Sequence, residues 1–310
     1  MKIAYLILCH TDPAHNKRLV EKLTTGTENV AFIHVDAKTD AKPFEDLLHT
    51  NQRAVFIHDR TALNWGGYSA VEATVKLMKC AVNNGRFDRF ILLQGLDYPI
   101  KTNKEIDDFF DANRKTEFFH AQNLSISTDK TKIHKIELNW DLDHDHRFPE
   151  KIINTMNKVF LKIRFIPKMK EKYTFDQFGN KMDIFQGSAL FGFTQDVVEY
   201  ILDFHDNNPE YNKYFKKVFA PDESYFHTIL YNSPYVENTQ DGKAVTRGHM
   251  LDYANLTYFE YPVQARLFKY KSEWPILRDS GFLYFRKASS ESKELLDYID
   301  SIHESKEDNK

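Results

Sequence analysis

The sequence predicts an α/β fold with a mostly parallel central sheet flanked by helices, and three observations predict it. Four short apolar runs, "KIAYLIL" (2–8), "VAFIHVD" (30–36), "RAVFIH" (53–58) and "RFILLQ" (89–94), have the length and β-branched or aromatic content of buried strands. Amphipathic stretches at 15–25, 43–49 and 68–84 fall between them, and strand–helix alternation favours parallel pairing because each crossover is a helix. No internal repeat or low-complexity linker divides the 310 residues. The chain therefore reads as a single domain over 1–310, with the polar stretch 303–310 fraying.

Taken in order, the first run lies in "MKIAYLILCHTDP", too short for a signal-peptide core with its cleavage site and for a bilayer span. In open parallel sheets ligands gather beyond the carboxyl ends of the strands. That rule directs attention to His10, Asp36, Asp59-Arg60 and the segment Gln94–Asp97. Between the third and fourth runs, "LNWGGYSAVEATVKLM" places Trp65-Gly66-Gly67 just before a helix start. Two glycines there permit close approach of a phosphate or of a packed strand. Thr102 and Glu105 have the spacing of a capping box.

Farther along, "NWDLDHDHRF" alternates Asp141, Asp143 and Asp145, a pattern that can hold a divalent metal through hard oxygen ligands or serve as an ordinary acidic loop. The basic segment 151–173 has Ile152, Met156, Val159, Phe160 and Ile163 on one helical face. It fits a surface helix, or a segment touching anionic lipid or an acidic substrate. "DIFQGSALFGFTQDVVEYILDF" reads as a strand, an N-cap at Thr194 and a helix. "APDESYFHTIL" (220–230) reads as a helix opening at Pro221, with Asp222 and Glu223 at the positive end of its dipole. Near the C-terminus, Arg266, Arg286 and Lys287 lie among aromatic residues.

Composition removes several function classes. Hydrophobic content of 42% and charged content of 28% fit a globular enzyme. A net charge of −3 gives no basic field for nucleic acid. Two cysteines, Cys9 and Cys80, without metal-ligand spacing, argue against a disulfide framework or a zinc site and place the chain in a reducing cytoplasm. There is no GxGxxG, Walker A or G-x-S-x-G sequence, which argues against dinucleotide enzymes, P-loop NTPases and common serine hydrolases.

These pieces occur together and in order, and the chain resembles the core-2/I-branching glycosyltransferases (glycosyltransferase family 14), whose relatives include peptide O-xylosyltransferases. The resembling stretches are "YLILCHTDP", "FIHVDAKTD", "NWGGYSAVEA", "FILLQGLDYPIKTNKEI", "FQGSALFGFT", "APDESYFHTIL" and "LYFRK", spanning residue 5 to about 287. The resemblance implies a GT-A type fold and inverting transfer from a UDP-sugar, most directly UDP-N-acetylglucosamine, with UDP-xylose as the alternative donor. It implies that no divalent metal or other cofactor is needed.

On the family pattern, Glu223 is the catalytic base, Arg266 and Lys287 contact the departing diphosphate with Arg286 beside them, and Asp36 lies near the nucleotide. His10, Trp65, Gly66 and Asp97 are placed with the donor, and Gly187, Ser188 and Asp222 at the site floor. Asp97 offers one carboxylate where other GT-A enzymes place a metal-binding D-x-D, so its role is structural or donor-positioning. With few cysteines and no apolar span, the chain reads as a cytoplasmic, bacterial-type member at the inner face of the membrane. The implied acceptor is a glycan or lipid-linked oligosaccharide in surface-polysaccharide assembly, reached with peripheral contact through 151–173. The stretch 120–180 matches the family poorly, so the acceptor does not carry over. A glycoside hydrolase using Glu223 and a non-catalytic sugar-binding module are the rival readings; neither needs a nucleotide.

The physics of the implied reaction is a single displacement at the anomeric carbon. A base must stand near the acceptor hydroxyl, and positive charge near the departing UDP. A helix N-terminus favours an ionised Glu223, while Asp222 beside it points elsewhere and caps the helix.

Overall fold

The computed structural model describes residues 1–140, 142–143, 170–240, 255–260 and 265–308. Its central sheet has the order β10-β4-β1-β2-β3, where β1 is Ile3–Cys9, β2 Val30–Val35, β3 Ala54–Phe56, β4 Arg89–Gln94 and β10 Gly192–Phe193. Only β10 runs antiparallel, against β4. The four predicted apolar runs are thus the four parallel strands, with the third shortened to three residues. The registers, Leu6 opposite Phe32 and Leu92, bring every β1 residue from Ala4 to Leu8 between two parallel neighbours. β1 and β2 are buried on both faces, which is why they read as continuous apolar runs rather than alternating ones.

Alternate residues of these strands feed two cores. Leu6, Phe32, Phe90 and Leu92 face one layer, with α3 (Ser69–Asn84), α6 (Gln195–Asn207) and α8 (Tyr225–Tyr231). Tyr5, Ile7, Ile33 and Leu93 face the other, with α1 (Pro13–Thr24), α2 (Lys42–Leu48), α4 (Asn103–Ala112) and α10 (Lys293–Asp308). Each fully buried aliphatic side chain contributes about 1.5–3 kcal/mol of transfer free energy.

Local expectations fare unevenly. The capping box on α4 is present in both halves: Glu105 N donates to Thr102 Oγ1 (3.1 Å) and Thr102 N to Glu105 Oε2 (2.8 Å). Thr194 does precede α6, but its hydroxyl does not cap it. Its N–H and Oγ1 both donate to the buried Glu117, whose need for partners outweighs the cap. The tail does not fray at 303, because α10 continues to Asp308, His303 is buried against the Ile100 carbonyl and Lys306 pairs with Glu105.

Three small sheets dress the carboxyl edge. β5 (Asp97–Pro99) pairs antiparallel with β12 (Tyr284–Arg286), setting Arg286 opposite Asp97, and β11 (Thr257–Phe259) extends that sheet. β6 (Ala121–Asn123) pairs with β9 (Phe185–Gly187), and β7 (Tyr173–Phe175) with β8 (Lys181–Asp183). Two short helices complete the frame used below, α5 (Lys130–Glu137) and α7 (Pro209–Phe215).

Candidate active site

Two groups of side chains gather around the carboxyl edge. The first lies beyond β1, β2 and β4. His10 directly follows β1 and is exposed. Asp36 directly follows β2, is buried, and accepts from Lys38 N (2.9 Å) and Leu63 N (3.1 Å), so its carboxylate ties two loops together. Asp97 does not end a strand of the main sheet; it opens β5 and is fully buried. Its Oδ2 accepts from Gln94 N (2.8 Å), and Oδ1 faces Arg286 Nε at 3.5 Å. Burial raises the Asp97 carboxyl above its usual range, and Arg286 opposes that rise. Arg286 also donates to Gln94 Oε1.

Lys287 and Arg266 meet through the backbone, as Lys287 N donates to the Arg266 carbonyl (2.9 Å). Their side chains differ. The Arg266 guanidinium is clasped by Glu260 (2.6 Å) and by Glu273. The Lys287 ammonium has no hydrogen-bond or ion-pair partner among the described residues and is half-buried. Beyond it, Ala288 N donates to the Leu96 carbonyl and Ser290 N to Asp12 Oδ2 (2.6 Å), anchoring this C-terminal segment across the ends of β1 and β4.

The second group surrounds Glu223. The helix expected from Pro221 begins later. Pro221–Glu223 form one 3-10 turn and α8 starts at Tyr225, so Glu223 precedes the α-helix and Asp222 caps nothing. Ala220 enters this turn at φ 48°, a conformation costly for a non-glycine residue. It is held there by donating its N–H to the Gly66 carbonyl (2.8 Å). In place of a helix dipole, Glu223 has two direct partners: Lys135 Nζ (2.9 Å) from α5 and Gln186 Nε2 (3.0 Å) from β9, both on Oε2. Among the described residues Oε1 receives no hydrogen bond, and the side chain is 38% exposed.

Asp222 next to it is half-buried and has its carboxyl pushed up to about 7, first by burial and second by the charge of Glu223. The folded state therefore holds this proton more tightly than the unfolded chain. The resulting stabilisation is full below about pH 4 and is lost as pH rises toward about 7. Asp222→Asn is expected to remove that loss. Melting temperatures from pH 4 to 8 should fall less for the variant than for the parent chain, and parallel curves would refute the assignment.

The glycine positions show what their missing side chains allow. Gly66 has φ +77°. A Cβ on Gly67 would fall on the Asp143 carboxylate, and one on Gly66 would press on Leu142 and Phe219 (3.2 and 3.3 Å). The turn before α3 thus receives the protein's own Leu142-Asp143. Asp143 Oδ2 accepts from Ser69 N (3.0 Å) and Oδ1 from Ser69 Oγ (2.6 Å), at the start of α3. Asp143, the middle member of the acidic alternation, is committed to that contact; Asp141 and Asp145 lie outside the described residues, as do 151–169 of the basic segment.

Trp65 is 76% exposed, its ring edge-on to Phe219 at 5.3 Å, with Trp140 on Phe219 at 5.0 Å. Gly187 lies so close to the His120 carbonyl and to the ring of buried His227 that no Cβ fits. Ser188, next to it, accepts from Leu190 N through Oγ (3.3 Å). Leu63, Asn64 and Gly66 thereby link Asp36 at one end to Ala220, and so to Glu223, at the other.

The profile of the core-2/I-branching enzymes matches residues 3–253. The chain belongs to the core-2/I-branching enzyme family of glycosyltransferases. Xylosyltransferase 2 of Rattus norvegicus is 26% identical over 257 residues, covering 78% of this chain and 26% of the relative. Xylosyltransferase 2 of Homo sapiens gives the same identity and coverage. This member thus spans about a quarter of the length of the curated relatives it matches. A crystal structure of mouse xyloside xylosyltransferase 1 has 10% identity and a TM-score of 0.37, covering 92% of this chain and 97% of that one. At that score it adds nothing to the fold, which rests on the strand order above.

Sequence reading named Glu223 as a candidate but not its partners. Lys135 sits in a stretch that matches the family poorly, where a lysine on a short amphipathic helix looks like any solvated cation. Gln186 had a signal, its place beside Gly187 in "FQG". Glu260 and Glu273, which hold Arg266, gave none.

Proposed function

We propose that this protein is an inverting transferase that moves a sugar from a UDP-sugar to a hydroxyl of a glycan acceptor, without a divalent metal and with Glu223 as general base. The observation that carries the reading is the doubly held Oε2 of Glu223, which fixes the carboxylate and leaves Oε1 to receive a proton. As the acceptor oxygen bonds to the anomeric carbon, its proton passes to Glu223, and UDP departs with the electron pair of the broken C–O bond. Lys287, with Arg286 next to it, supplies positive charge to the departing diphosphate. Asp36 and the loop bearing Trp65 frame the donor, and Asp97 positions Arg286.

N-acetylglucosamine is the first donor sugar to test, and the names of the relatives make xylose the second. The acceptor is a glycan or lipid-linked oligosaccharide of surface-polysaccharide assembly, met at the cytoplasmic face of a membrane with peripheral contact through 151–173. No helix of the described residues is long and apolar enough to cross a membrane.

Calorimetric titration of UDP, UDP-N-acetylglucosamine and UDP-xylose, first with manganese and then with EDTA, tests the reading. Binding is expected to be equal in both buffers, and the donor that also supports turnover identifies the sugar. Binding that requires manganese would overturn the metal-free proposal, and no UDP binding at all would return the chain to the hydrolase or lectin readings.

A further inference from the structure

His34 lies in β2, two residues before Asp36, and is fully buried. Side chains alternate along a strand, so it faces the same layer as Phe32, toward α3. Its Nε2 accepts a hydrogen bond from Thr61 N (2.8 Å). A backbone N–H can only donate, which fixes the tautomer: the ring is neutral and carries its hydrogen on Nδ1. Among the described residues Nδ1 has no hydrogen-bond partner.

Thr61 anchors a loop that closes over Asp36. Its carbonyl accepts from Ala37 N (3.1 Å), Leu63 N donates to Asp36 Oδ1 (3.1 Å), and Asn64 N donates to Ser69 Oγ (2.9 Å). Arg60 Nη1 donates to the Thr39 carbonyl (2.9 Å) and Lys38 Nζ to the Leu63 carbonyl. Of these bonds, only the one to His34 ties the loop to a strand of the sheet.

Burial lowers the affinity of the His34 ring for a proton. The charges of Lys76 on α3 and Arg60 in the loop act in the same direction, and Asp36 opposes them. Lys76 pairs with the exposed Asp59 (2.9 Å), and His58 of the loop is exposed. The Cys9 thiol of β1 donates to the His34 carbonyl (3.8 Å); burial pushes it up to about 12, so it stays neutral.

We propose that His34 is a positioning residue of the donor site: its neutral Nε2 latches Thr61, and with it the loop that brings Leu63 to Asp36, and the latch opens when the ring takes up a proton. The inference rests on the transferase reading above, in which Asp36 frames the donor. An imidazolium has two donors and no acceptor, so a protonated His34 would meet the Thr61 N–H donor to donor, with its charge buried beside Lys76 and Arg60. Opening the loop relieves both by admitting water. A hydrated ring titrates near 6.5 and the latched ring below that, so falling pH favours the open loop and neutral pH the closed one.

Two measurements on the whole chain test this. Hydrogen–deuterium exchange over 58–64, corrected for the intrinsic rate at each pH, reads the latch. Calorimetry with UDP-N-acetylglucosamine and UDP-xylose, whose diphosphate diesters do not titrate in this range, reads the donor site. Between pH 7.5 and pH 5, protection in the parent chain should fall about tenfold and affinity for the donor that binds about threefold. His34→Gln offers an amide oxygen near the position of Nε2 that accepts at every pH. It should keep the neutral-pH protection and affinity and remove the acid loss. His34→Leu, which cannot accept, should lose about tenfold in both at pH 7.5. Acid effects on Asp36 are common to the parent and the Gln variant, so their difference isolates His34. Parallel acid losses in those two chains would overturn the latch, and parental donor affinity in His34→Leu would overturn the positioning role. Absence of donor binding by every chain would overturn the donor-site role together with the transferase reading, while exchange alone still decides the latch.

Discussion

Glu223→Gln is expected to lower kcat by a factor on the order of 10²–10⁴ while leaving UDP affinity unchanged. The substitution keeps the shape of the side chain. The new amide oxygen can still accept from Lys135, so the local frame survives. What the amide cannot do is take a proton from the acceptor hydroxyl as the glycosidic bond forms. Because the carboxylate sits on a separate turn from Asp36, Arg286 and Lys287, the residues proposed to meet the donor, the loss should appear in kcat and not in calorimetric UDP binding. Asp222→Asn provides the internal contrast, since Asp222 caps no helix and makes no direct hydrogen bond to Lys135 or Gln186, and it should retain most turnover at neutral pH. Near-normal turnover by Glu223→Gln would end the base assignment.

The contrast between these adjacent carboxylates shows where sequence reading reaches its limit. The parallel strands were legible because burial on both faces leaves unbroken apolar runs, and the α4 capping box because both of its bonds are local. Glu223 was legible as a candidate through its motif, but the reason given for it was wrong in detail. A helix dipole was expected, and the chain instead makes a 3-10 turn and brings a cation from α5, 88 residues away in sequence. Long-range pairing of this kind leaves no periodicity to read. The same applies to the Gly66-Gly67 turn. Two glycines predicted close approach correctly, but only the fold shows that the approaching group is Asp143. Asp143, which the acidic alternation offered as a metal ligand or a loop residue, accepts from the first turn of α3. Thr194 failed as a cap for the converse reason, because buried Glu117 takes its hydrogen.

Lys287→Ala is expected to weaken UDP binding by 10- to 100-fold, and Arg266→Ala by less than threefold, although the family pattern names both as diphosphate contacts. The difference follows from the partners. Arg266 lies between Glu260 and Glu273, and one guanidinium with two carboxylates leaves a formal charge of −1, which repels a diphosphate. Truncating Arg266 should instead lower thermal stability, because Glu273 is nearly buried and would lose its cation. Among the described residues Lys287 has no carboxylate in direct contact, only the longer-range charge of buried Asp97, and its backbone is pinned beside the end of β4. A charge-assisted hydrogen bond contributes about 1.5–3 kcal/mol, which sets the expected range of affinity. The loss should shrink as salt rises, since half-buried charges are still partly screened. Calorimetry of both variants at two salt concentrations decides the matter. If Arg266→Ala matches Lys287→Ala in UDP affinity, the Glu260–Arg266–Glu273 clasp must open when the diphosphate arrives, and Arg266 is then a ligand that the substrate itself releases.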